Sequence, residues 1–101
     1  MNANEFDLVI KQLERLESML LLPNTDFIWS NYSNADEALK DLDFISLKNG
    51  LLKKDKKYID RLLFLLAPTN DLQEISISSG WGSEFCKIAK TIEIALERYN
   101  E

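Results

Sequence analysis

The stretch FCKIAKTIEIALERY, residues 85–99, decides the fold. Phe85, Ile88, Ala89, Ile92, Ala95, Leu96 and Tyr99 recur at steps of three and four, the spacing that stacks side chains along one face of an α-helix. Such a helix must bury its stripe against other elements, so the rest of the chain has to supply partners. The segment FDLVIKQLERLESML, residues 6–20, does so with Phe6, Val9, Ile10, Leu13, Leu16 and Leu20, and Pro23 stops the pattern.

Between these two ends the helical period persists. Asn34 is placed to cap a second helix, with Glu37 at its third position and Ala35, Ala38, Leu39, Leu42 and Ile45 as its buried stripe, until Asn49-Gly50 ends it in a left-handed turn. A third helix follows the cluster Lys53, Lys54, Lys56 and Lys57; its later residues, Ile59 and Leu62 to Leu66, are apolar nearly all round, which predicts a central helix covered on several sides. Thr69 after Pro68 caps a short fourth helix over 70–79 that Gly80 stops, and Ser83 opens the last one. The expectation is an all-α fold, a compact bundle of four or five helices in one domain over residues 1–101. Leu13, Leu16, Leu20, Leu39, Leu42, Ile59, Leu62, Leu66, Phe85, Ile88, Ile92 and Leu96 belong in its core.

The composition narrows the chemistry. There is no histidine, Cys86 is the single cysteine, and the formal charge is −5. The chain therefore lacks the usual groups for proton transfer at neutral pH and for metal binding, and neither an enzyme nor a cofactor is expected. Cys86 reads as a small core residue beside Phe85, with no histidine to activate it. Gly80-Trp81-Gly82 is too short for a phosphate cradle and lacks the lysine of a P-loop. The longest apolar run, 62–67, is too short to cross a bilayer, and the polar start, Asn2, Asn4, Glu5 and Asp7, does not read as a secretory signal. A cytoplasmic protein with no membrane partner is expected.

Two features of the sequence are basic or DNA-like. The lysine cluster has no interleaved aromatics and reads as a solvated or neighbour-paired face. The helices around Gly80 are spaced like a helix-turn-helix, yet the second begins Gly82, Ser83, Glu84 where a DNA reader would offer cations or amides. With the acidic balance, this argues against nucleic acid as a partner and leaves a DNA-binding regulator as an alternative only.

What remains is recognition of another protein. The segment 23–33 carries Phe27, Ile28, Trp29 and Tyr32 among polar residues and reads as a loop. Carboxylates flank it: Asp26 before, and Asp36, Glu37, Asp41 and Asp43 after. Aromatic anchors ringed by negative charge suit a basic protein partner, the charges speeding encounter and the rings slowing escape. Asp26, Trp29, Tyr32, Asp36, Glu37, Asp41 and Asp43 are accordingly the candidate contact residues; Trp81 and Phe27 read rather as plugs for the open end of the core, a reading that Trp29 and Tyr32 also allow. In this profile of an acidic helix, adjoining Trp29 and Tyr32, short length and no catalytic set, the chain resembles the small acidic all-α immunity proteins that bacteria make against their own nuclease toxins. The resemblance implies a dedicated inhibitor covering a cationic active site; a scaffold subunit of a cytoplasmic complex is the plainer alternative.

Overall fold

Burying the stripe of residues 6–20 requires a long first helix, and the computed structural model has it as α1, Ala3–Leu20, with Val9, Leu13, Leu16 and Leu20 fully buried. The structure describes residues 3–28, 30–67 and 70–97, with side chains from residue 6 onward. Five further helices follow: α2 (Ala35–Leu42), α3 (Phe44–Leu52), α4 (Lys56–Leu65), α5 (Asp71–Ser79) and α6 (Gly82–Leu96). Helices α1 and α6 form the central pair. Helix α5 packs on α6, α4 packs on α3, and α3 and α2 lie against α1. The fold is all-α, and the Cα radius of gyration of 13.1 Å matches the value of about 13 Å for a compact chain of this length. No helix among the described residues is long and apolar enough to cross a membrane.

Eleven of the twelve residues placed in the core by the periodicity are buried; Leu39 is half-buried against the same cluster. The predicted second helix, however, is two helices. Asp43 takes a left-handed conformation, φ 53° and ψ 58°, which ends α2 and starts α3. Its backbone N–H closes α2 on the carbonyl of Leu39, and its carboxylate accepts the N–H of Ser46 to open α3. The break changes which residues are inside: Phe44, Leu47 and Leu51 are buried, whereas Ile45 is 72 % exposed.

Gly50 also differs from expectation. It lies within α3, not at its end, and the left-handed residue that leaves the helix is Lys54, φ 56°. A Cβ on Gly50 would overlap the ring of Tyr58, so this glycine serves the close approach of α4 to α3. Helix α4 is not covered on several sides, since Phe64 is 68 % exposed. Cys86 is exposed on α6, off the Phe85, Ile88, Ala89, Ile92 and Leu96 stripe. Gly80, φ 86°, closes α5: its N–H meets the Ile77 carbonyl and the Trp81 N–H meets that of Ser76, the pairing of a Schellman turn. Pro68, Thr69 and Tyr99 lie outside the described residues.

Chemical denaturation checks this arrangement. Leu62→Ala and Ile92→Ala are each expected to cost about 2–5 kcal/mol, whereas Cys86→Ser stays within about 0.5 kcal/mol. Gly50→Ala is expected to destabilise by about 1–3 kcal/mol through overpacking against Tyr58, although alanine is the better helix former. A stabilising Gly50→Ala would contradict the α3–α4 packing.

Candidate protein-binding surface

The loop from α1 to α2 lacks regular structure because its residues hydrogen-bond locally and to neighbouring helices in place of a helical ladder. Thr25 Oγ1 donates to the carbonyl of Met19 at 2.7 Å, and Asp26 accepts the Ile28 N–H on its carboxylate at 2.9 Å. The backbone N–H of Asp26 donates to Ser79 Oγ at 2.7 Å, at the C-terminal end of α5. Five residues later the backbone N–H of Asn31 donates to Asp71 at 3.0 Å and its amide at 3.2 Å, at the N-terminal end of the same helix. The loop therefore runs antiparallel to α5, tied at both ends. Phe27 and Tyr32 are half-buried against the core, while Ile28 is 73 % exposed.

A third tie joins the loop to α2. Tyr32 Oη donates to Asp41 Oδ2 at 2.7 Å. Burial, then that hydrogen bond and the negative charge of Asp41, hold the Tyr32 hydroxyl well above its usual pKa. Arg61, from α4, donates to the carbonyls of Asp41 and Leu42, each at 3.2 Å, and so satisfies acceptors at the C-terminal end of α2.

The start of α2 is built as expected. Asn34 Oδ1 accepts the Glu37 N–H at 2.9 Å, and Asp36 and Glu37 occupy the first turn, where the helix dipole favours carboxylates. Because Ala38 and Leu42 face the core, Asp36, Glu37 and Asp41 face solvent, and Asp43 beside them is exposed. Lys40 shares this face and Arg61 reaches its C-terminal end, so four carboxylates and two cations leave it a net −2. The ion pairs among the described residues are Arg15–Glu84, Lys48–Glu17, Lys56–Asp60 and Lys87–Glu84, none of which uses a carboxylate of this face.

The candidate contact residues thus divide. Asp36, Glu37 and Asp43 are exposed with no ion-pair partner among the described residues; Asp41 and Tyr32 are bound to each other; Asp26 is half-buried and holds the loop's own turn. Trp29 lies outside the described residues. No local pattern announces Asp71 or Arg61, whose roles depend on long-range packing. Trp81 is buried and belongs to the core, its indole Nε1 having no hydrogen-bond partner among the described residues. At the helix-turn-helix spacing of α5–α6, Glu84 in the first turn of α6 is paired with Arg15 and Lys87. No group of three or more metal-ligating side chains comes together among the described residues. Comparison with known protein families, with curated proteins and with solved structures finds no match.

The Tyr32–Asp41 tie has a pH signature. A raised phenol pKa means that the folded state keeps its proton longer than the unfolded chain, so the tie's stabilisation is complete below about pH 10, the unfolded value, and is lost as the pH rises above it. Tyr32→Phe is expected to cost about 0.5–1.5 kcal/mol at pH 7, and the gap between variant and wild type is expected to close as urea melts are repeated at increasing pH above 10. A gap independent of pH would place the hydroxyl elsewhere.

Proposed function

We propose that the protein is a non-enzymatic binding module whose α2 face and adjoining loop grip a basic protein, in the manner of an immunity-type inhibitor that covers the cationic active site of a nuclease toxin. The observation that carries this reading is the set of exposed carboxylates, Asp36, Glu37 and Asp43, that form no ion pair among the described residues. Such charges gain little by facing one another and gain most by meeting cations, where complementary fields raise the association rate. The loop supports the same reading from a second direction. Its ties at Asp26 and Asn31 to α5 and at Tyr32 to α2 hold the described part of the loop against both helices, so little ordering entropy opposes binding there.

A cytoplasmic setting fits a partner that must be neutralised before release. The carboxylates divide the work: Asp36, Glu37 and Asp43 supply the long-range attraction, and Asp41 holds Tyr32 in the loop. The reading makes the protein a stoichiometric inhibitor, with no turnover.

The test is capture of a basic protein from the source organism on the immobilised full chain, followed by stopped-flow binding at several salt concentrations. Reversal of Asp36 and Glu37 to lysine is expected to lower the association rate by about tenfold or more, with a weaker salt dependence and a melting temperature lowered by only a few degrees, because the α2 dipole favours acids at these two positions. Trp29→Ala is expected to act mainly on dissociation. Capture and rates unaltered by the charge reversal would remove α2 from the contact.

A further inference from the structure

Helix α3 presents a second unpartnered face. Phe44, Leu47, Gly50 and Leu51 point into the core, which leaves Ile45, Asn49 and Leu52 in line on the opposite side. Ile45 is 72 % and Leu52 62 % exposed. Scattered exposed aliphatic residues are ordinary, but these two lie on one stripe about 10 Å apart along the helix axis. The stripe is bracketed by opposite charges. Asp41 and Asp43 precede it, and Lys53 and Lys54 follow it, all four exposed and none in an ion pair among the described residues. The intervening Lys48 is neutralised by Glu17, and Lys56 by Asp60. The helix is also framed by the two positive-φ non-glycine residues among those described, Asp43 and Lys54, so the chain turns away at both ends and leaves the stripe clear.

We infer that this face is a self-association surface whose occupant is a second copy of the chain, docked antiparallel about a two-fold axis near the middle of α3. In that register Ile45 of one copy meets Leu52 of the other, and Asp43 meets Lys54. Two-fold symmetry makes each contact occur twice. A surface with acid at one end, base at the other and aliphatic residues between is complementary to itself after this rotation, and that complementarity singles out a second copy as the occupant. The patch is short, so the dimer is weak and forms at high protein concentration. Because Asp43 belongs to this face and to the α2 surface, self-association and capture of a basic partner compete.

Sedimentation velocity on the full chain over about a hundredfold range of concentration tests this, with thermal melts on every variant. The wild type is expected to rise from the mass of an 11.7 kDa monomer toward twice that mass, and to return toward monomer as salt increases. An acid-end variant, Asp41→Lys with Asp43→Asn, and a base-end variant, Lys53→Glu with Lys54→Asp, are each expected to stay monomeric where the wild type associates. Both asparagine and aspartate tolerate the left-handed backbone at their sites. Mixed in equal amounts the two variants are expected to form a dimer, since each altered end then meets its complement. Leu52→Ser, which changes no charge and reaches only solvent, is expected to weaken association by about tenfold. A wild type that is monomeric throughout, a mixture that stays monomeric, or association indifferent to Leu52→Ser would each overturn the inference.

Discussion

The left-handed backbone at Asp43 is the constraint on which the functional surfaces depend. A non-glycine residue there costs about 1–2 kcal/mol relative to helix, and the structure offsets it several times over. Asp43 caps two helices at once, closing α2 on Leu39 and opening α3 on Ser46, each cap being worth about 1 kcal/mol. The larger gain comes from packing. Leu42 and Phe44 are two residues apart, which on an unbroken helix would set them on nearly opposite sides, yet both are buried here. The new phase buries Phe44, Leu47 and Leu51, where an unbroken helix would turn Ile45 and Leu52 inward with Asn49 between them, so the break gains about one large apolar side chain, about 1.5–3 kcal/mol, and keeps an amide in water.

From that break follow both exposed faces. Helix α2 is left short, with Ala38 and Leu42 inward and its carboxylates outward, and α3 starts in a new phase that turns Ile45 and Leu52 to solvent. Arg61 and Tyr32 then fix α2 from opposite directions, one at its terminal carbonyls and the other at the Asp41 carboxylate. The same acidic residues thus hold the loop, end a helix and charge a surface. Substitutions on this face separate into those that touch architecture, at Asp41 and Asp43, and those that touch mainly the field, at Asp36 and Glu37, where the α2 dipole alone is affected.

Much of the architecture is legible in the sequence because it rests on local signals. The three-four stripes of α1 and α6 name the central pair, and Gly80 and Asn34 mark real helix boundaries. The division at Asp43 was harder to read: Ala35, Ala38, Leu39, Leu42 and Ile45 make a plausible continuous stripe, and only the phase jump from Leu42 to Phe44, Leu47 and Leu51, with a cap-forming aspartate at the jump, betrays it. Gly50 misled for a related reason. Its lack of a side chain answers to Tyr58 on another helix, a tertiary demand that looks locally like a stop signal. The exposure of Asp36 and Glu37 could be read from the helical wheel, whereas the ties of Asn31 to Asp71 and of Arg61 to α2 join residues far apart in the chain, with no local pattern to announce them.

The most direct test of this account is a solution NMR measurement of the backbone over residues 35–52, from Cα and Cβ secondary shifts together with the intraresidue HN–Hα NOE that reports positive φ. Helical shifts are expected over 35–42 and 44–52, interrupted at Asp43 alone by a left-handed signature. Continuous helical shifts through Asp43 would contradict it, and would return Ile45 to the core and Phe44 to the surface.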